Sequence, residues 1–208
     1  MSYAVKEIFL TLQGDGMQAG RRAVFLRFAG CNLWSGLERD RAAAQCRFCD
    51  TDFVGLDGEN GGRYDAAGLA DRVESLWGDG PDRLVVITGG EPLLQLDSTL
   101  IEALHDRGFR IAVETNGTIA APEGIDWLCV SPKGRSRIVQ KRGDELKLVW
   151  PQEDLDPAGF AGWAFDHFLI QPKDCADKEQ ALAAAIHFVM SNPGWKLSLQ
   201  THKLLGLP

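Results

Sequence analysis

The chain has 208 residues, 45% hydrophobic and 25% charged, with a formal net charge of −7. That length affords one core of useful size, and the composition is that of an ordinary soluble globular protein. The acidic balance, with no run of Lys or Arg, excludes the footprint of a nucleic-acid binder, and no stretch approaches the roughly 18 apolar residues of a membrane-spanning helix.

Met1 to Gln13 lacks the apolar centre of a signal peptide, so the expected location is cytoplasmic. There the five cysteines stay reduced, and clustered thiols favour metal over disulfide. Strands are predicted over 4–12 and 22–29, where Val24, Leu26 and Phe28 alternate with other residues. A helical period over 65–77 brings Ala66, Leu69, Ala70, Val73, Leu76 and Trp77 to one face. Leu84 to Ile87 is a continuous apolar run, the profile of a buried parallel strand, and leads into Thr88-Gly89-Gly90-Glu91-Pro92. Asp97 is placed to cap a helix over 97–107 that carries Ile101, Leu104 and His105. Further strands over 110–115, 127–130, 146–150 and 168–170 end at Asn116-Gly117, Ser131-Pro132-Lys133, Pro151 and Gln171-Pro172-Lys173. A last helix over 177–190 sets Ala181, Leu182, Ala185, Ile186 and Val189 on one side, and Asn192-Pro193-Gly194 ends it.

Strands alternating with helices predict an α/β chain with a parallel sheet and crossover helices. The polar strings fall at the C-terminal ends of the predicted strands, where such sheets place their sites. Each string taken alone also reads as a plain turn.

Cys31, Cys46 and Cys49 form a close trio. Three thiolates leave one position of a metal centre open, and an open position is where a substrate or cofactor binds metal directly. A structural zinc clip would need a fourth ligand, and His105, His167, His187 and His202 all lie far along the chain. A redox Cys-x2-Cys pair would open a helix in a thioredoxin-like unit, which is not predicted here. Cys129, in an apolar strand, reads as core, and Cys175 has no assigned role.

The trio followed by Thr88 to Pro92 resembles the radical S-adenosylmethionine (SAM) superfamily, in which three cysteines hold a [4Fe-4S] cluster and SAM chelates its unique iron. Most members space these cysteines as Cys-x3-Cys-x2-Cys, whereas residues 32–45 separate Cys31 from Cys46 here. With that longer loop, the segments Glu7 to Gly16, Arg27 to Trp34, Cys49 to Asp52, Glu114 to Gly117, Ser131 to Lys133 and Gln171 to Asp174 are similar to the 7-carboxy-7-deazaguanine synthase family, over nearly the whole chain.

The resemblance implies an incomplete, elaborated (β/α) barrel of the radical SAM type. It spans residues 1–208 as a single domain, with an extended cluster-binding loop over 31–49. It implies a lyase of queuosine biosynthesis that converts 6-carboxy-5,6,7,8-tetrahydropterin to 7-carboxy-7-deazaguanine with loss of ammonia, through a 5′-deoxyadenosyl radical and ring contraction. Cys31, Cys46 and Cys49 would be the cluster ligands. Phe48, Asp50, Gly90, Glu91, Ser131, Lys133, Gln171, Pro172, Lys173 and Asp174 would border SAM, the Glu91 carboxylate meeting its amino group. Leu12, Gln13, Gly14, Arg27, Thr88 and Pro208 would meet the pterin, with Arg27 paired to its carboxylate and the chain's own terminal carboxylate facing its ring. Thr51 would supply an oxygen to Mg2+. Read without the resemblance, Arg27 is a surface arginine on an edge strand, Lys133 a solvated lysine and Thr51 a turn or N-cap residue. A homodimer and an electron donor such as flavodoxin are also implied, with no membrane or nucleic-acid partner. Two other readings stay open: a radical SAM activase of a glycyl-radical enzyme, which usually carries the short cysteine spacing, and a non-catalytic iron–sulfur or zinc module.

Overall fold

The computed structural model describes residues 2–152 and 154–208. Nine strands form one sheet in the order β3-β1-β2-β4-β5-β6-β7-β8-β9. They are β1 (Tyr3–Leu12), β2 (Arg22–Phe28), β3 (Gly62–Tyr64), β4 (Leu84–Gly89), β5 (Arg110–Thr115), β6 (Trp127–Val130), β7 (Arg142–Trp150), β8 (Ala164–Pro172) and β9 (Trp195–Leu197). From β2 to β9 every neighbouring pair is parallel, while β1 runs antiparallel to both β2 and β3. The sheet is therefore open, with β3 and β9 at its edges.

The helices are α1 (Ala66–Trp77), α2 (Ser98–His105), α3 (Lys178–Ser191) and α4 (Thr201–Leu205). Asp65 and Asp97 cap the first two by accepting from the amides of Gly68 and Leu100, which satisfies orphan donors of the first turn. Asp177 sits at the start of α3 but makes no side-chain cap.

Alternation along the strands divides the sheet into two faces. Val85 and Ile87 of β4 join the large core beneath α1 and α2, whereas Leu84 and Val86 join a small cluster with Ala23 and Ala112 on the other face. That second face continues toward the strand C-termini as Arg27, Thr88, Glu114 and Lys147, which line a cavity. On β2, β4 and β5 this inner row thus runs from apolar at the base to polar at the mouth.

The structure departs from the expected elements in four respects. The alternation predicts crossover helices in general, with particular helices placed only over 65–77, 97–107 and 177–190, and among the described residues no α-helix lies between β5 and β6, β6 and β7, or β7 and β8. Strands β7 and β8 each begin four residues before the predicted start, because Arg142 and Asp144, like Asp166 and His167, hide the run from an apolar pattern although Arg142 pairs with Ala164 and Glu145 with His167. The apolar side of α3 is only half used. Ala181 and Ala185 are buried against the sheet, whereas Leu182 and Ile186 are 38% and 44% exposed. Strands β3 and β9 and helix α4 were not expected; three to five residues are too few to show a period.

Candidate active site

The C-terminal ends of the parallel strands surround a cavity of about 380 Å³. Of the residues singled out in the sequence, Leu12, Gln13, Gly14, Arg27, Cys46, Phe48, Cys49, Asp50, Thr51, Thr88, Gly90, Ser131, Lys133, Gln171, Pro172, Lys173, Asp174 and Pro208 line it. Cys31, Glu91 and Cys175 are not among its lining residues.

At one end lie the cysteines. The Cys46 thiol hydrogen-bonds Cys49, which pulls Cys49 down to about 6 and pushes Cys46 up, with burial adding to the rise at Cys46. Burial likewise pushes Cys31 up, and the Leu33 amide donates to its Sγ at 3.4 Å. Among the described residues no three His, Cys, Asp or Glu side chains close on a point that one metal ion would occupy. A four-iron cluster takes its thiolates at separate corners and does not require them to converge on one point.

The glycine string holds this end together by absence of side chains. A Cβ at Gly89, whose φ is +143°, would lie 2.4 Å from the Phe28 carbonyl oxygen, and one at Gly90 would lie 2.2 Å from that of Gly30 and 2.7 Å from Cys31 Cβ. The Glu91 amide donates to the Gly30 oxygen at 2.9 Å. The end of β4 thus lies flat against the start of the cysteine loop, with the backbone of Gly89 and Gly90 facing the cavity.

Glu91 follows directly and is held by its own hydrogen bonds. Its side chain is fully buried, and its carboxylate accepts from the Leu93 amide (3.0 Å), the Thr115 hydroxyl (2.7 Å) and the Asn116 amide (2.8 Å). Burial pushes its pKa up, against these donors. A carboxylate engaged in this way ties the end of β4 to β5 beside the cavity. Asn116 continues the tie by donating to Asn32, next to Cys31, at 3.0 Å.

Lys133 reaches inward rather than into solvent. Its ammonium donates to Ser131 Oγ at 2.5 Å, lies 5.9 Å from the Phe48 ring centre and is pushed down by burial. Arg27 is likewise no surface arginine on an edge: β2 lies between β1 and β4, and the Arg27 Nε pairs with Glu7 at 2.7 Å on the cavity wall.

The other end is a network of buried charge. Lys147 Nζ reaches Asp15 at 2.5 Å and Glu114 at 3.1 Å, while Gln13 donates to Glu114 at 2.7 Å. Burial pushes Lys147 down, but Asp15 and Glu114 outweigh it and hold its ammonium well above the ordinary range. Burial wins at Asp15, which is raised; at Glu114 the burial is overcome by Lys147, and the carboxyl is lowered.

The last eleven residues close the open side of the sheet. Ser198 Oγ accepts from the Gly16 amide at 2.9 Å and donates to Gln171 at 3.1 Å. Thr201 donates to the Gly14 carbonyl through both its amide and its hydroxyl. A Cβ at Gly14 would meet His202 Nδ1 at 1.9 Å, so the His202 ring packs where only glycine leaves room. Lys203 bridges Asp50 and Asp174, each at 2.6 Å, and the Thr11 hydroxyl reaches the Pro208 carbonyl at 3.4 Å.

Residues 41–143 match the model of the radical SAM superfamily. Over its whole length the chain is 60% identical to the 7-carboxy-7-deazaguanine synthase of Bordetella pertussis and 62% identical to that of Caulobacter vibrioides, each covered in full. The chain belongs to the 7-carboxy-7-deazaguanine synthase family. Its fold is also similar to the crystal structure of QueE from Escherichia coli, with a TM-score of 0.74 at 27% identity over 97% of this chain and 95% of that one. As a radical SAM protein, this family member uses a [4Fe-4S] cluster and SAM.

Sequence reasoning missed several lining residues of this synthase-family cavity: Glu7, Asp15, Glu114, Asn116, Lys147, His202 and Lys203. A signal existed for two of them. Glu114 and Lys147 interrupt the apolar runs of β5 and β7, and a lone charge inside a buried strand needs a partner.

Proposed function

We propose that the chain converts 6-carboxy-5,6,7,8-tetrahydropterin to 7-carboxy-7-deazaguanine with loss of ammonia, as a carbon–nitrogen lyase. The observation that carries this is the continuity of one cavity from the Cys46–Cys49 clip and the Gly89-Gly90 backbone to the Arg27, Glu114 and Lys147 end. When bound, the cluster supplies the electron that cleaves SAM, and cleaved SAM starts the reaction by taking a hydrogen atom from the pterin.

The chain's own residues bind, orient and enclose. Phe48, Asp50, Ser131, Lys133, Gln171, Pro172, Lys173 and Asp174 border the cysteine side and hold SAM, with Gly90 and Glu91 receiving its amino group. Arg27, with Nε occupied by Glu7, turns its remaining guanidinium donors to the substrate carboxylate, a charge-assisted pairing. Leu12, Gln13, Gly14 and Thr88 meet the ring, and the terminal carboxylate of Pro208 accepts from its amino edge. Glu114 and Lys147 provide a carboxylate and an ammonium at the far end, in a site where water is scarce and charge acts strongly. Thr51, between Asp50 and Asp52, gives an oxygen for Mg2+, a hard cation that takes oxygen ligands. The unit is residues 1–208, working in the cytoplasm as a homodimer with an electron donor such as flavodoxin.

Reconstituted anaerobically, the protein is expected to hold about four irons per chain and, given SAM, reductant and Mg2+, to release ammonia in step with loss of the pterin. SAM consumed while the pterin survives would overturn the substrate assignment and favour the activase reading.

A further inference from the structure

We propose that Arg41 is the clamp that holds the Cys46–Cys49 clip in its cluster-binding shape, a positioning role that rests on the reading of Cys31, Cys46 and Cys49 as cluster ligands. The insertion between Cys31 and Cys46 forms only a 3-10 turn, Glu38–Ala43, and buries none of that turn's residues. Leu33 and Trp34 are buried, but hydrophobic packing does not hold the turn itself in place. Arg41 does so through three kinds of contact. Its Nη1 donates to the carbonyl oxygens of Arg47 at 3.0 Å and Cys49 at 3.1 Å, gripping the clip from both sides of Phe48. Its guanidinium lies 4.0 Å from the Trp34 ring centre. Its Nε pairs with Glu38 at 2.7 Å.

Trp34 carries the connection inward. It packs edge-on against Phe53, which is buried, and its indole N–H donates to the Leu37 carbonyl at 3.2 Å. One side chain thus joins the segment after Cys31, the 3-10 turn and the Cys46–Cys49 clip. A guanidinium suits this because it stacks flat on an aromatic face while its fork stays free to donate. A lysine ammonium is a point charge and cannot stack and grip two carbonyls together. Fixing the Cys49 carbonyl fixes the peptide from which its thiol projects, and it brings the guanidinium charge within 3.1 Å of the Cys49 backbone. Net charge near a cluster is one of the protein's levers on its potential.

The test compares wild type, Arg41→Met and Arg41→Lys, each reconstituted anaerobically as the full chain. Iron loss to a chelator is followed by the cluster's visible absorbance, the midpoint potential is measured, and the iron-free proteins are melted. Arg41→Met is expected to lose iron about tenfold to a hundredfold faster, the usual cost of removing an outer support of a metal site. Arg41→Lys should fall between, the potential of Arg41→Met should move negative, and melting of the iron-free chains should be unchanged. Wild type that holds no iron would overturn the cluster reading beneath the proposal. Wild type and Arg41→Met that lose iron at one rate would overturn the clamp alone. An equal fall in melting temperature in both variants would assign Arg41 to the fold at large and overturn it as well.

Discussion

A Cβ at Gly90 would lie 2.2 Å from a backbone oxygen of the cysteine loop, and backbone cannot swing aside as a side chain can. Gly90→Ala is therefore expected to cost about 1–3 kcal/mol in urea unfolding and to reduce iron binding, since it pushes β4 away from Cys31. Arg27→Gln removes a cation from the wall without opening the core. It is expected to raise KM for the pterin roughly tenfold to a hundredfold, the worth of a charged hydrogen bond, while SAM affinity stays within twofold or so in titration of the reconstituted enzyme. Lys147→Met leaves Asp15 and Glu114 buried without their cation, and breaking such a pair costs about 3–5 kcal/mol, again read by urea unfolding. At this scale the residues legible in the sequence were those set by spacing and type, the three cysteines and the Gly89-Gly90 pair. Asp15, Glu114 and Lys147 escaped because they are brought together from a turn after β1 and from strands β5 and β7, a contact that no local pattern encodes.

Among the elements, the C-terminal stretch is held by charge more than by packing: Leu204 and Leu205 of α4 are 78% and 64% exposed, while Lys203 pairs with Asp50 and Asp174. The hydrogen bonds from Lys203 and then Lys178 hold Asp174 below its ordinary range. Its contribution is thus full above the unfolded value of about 3.9 and fades as pH falls through the lower folded value. Burial pushes Lys203 down, but its bonds to Asp174 and Asp50 outweigh this and raise it. Its contribution is full below about 10.4 and is lost as pH rises through the higher folded value. Amide exchange protection of residues 200–205, corrected for intrinsic rates, is therefore expected to be flat between about pH 4 and pH 10 and to fall outside that window. A loss below the usual histidine value of about 6.5, as pH falls, would instead implicate His202, which burial holds below that value. Helices α1 and α2 were legible because a capping Asp and a 3.6-residue period coincide in each. The stretch that closes the site was not, since a five-residue helix has no period to read.

The whole molecule is a half-barrel whose open side is crossed by its own last residues, so that β1, β4, β5, β7, β8 and the terminus share one cavity. Its parallel half was legible from apolar runs that end in polar strings, and its helix-free crossovers were not, because turn-rich connections of this length carry no period in either sense. The account's central claim is that one cavity joins a cluster held by Cys31, Cys46 and Cys49 to a pterin site. The most direct measurement is anaerobic turnover of 6-carboxytetrahydropterin by wild type and Cys46→Ala, with SAM, reductant and Mg2+, and the product identified by mass. The account predicts 7-carboxy-7-deazaguanine from wild type and none from Cys46→Ala, with the variant still folded. Product formed at equal rates by both proteins, or unchanged pterin recovered from a wild type that carries its full complement of iron, would contradict it.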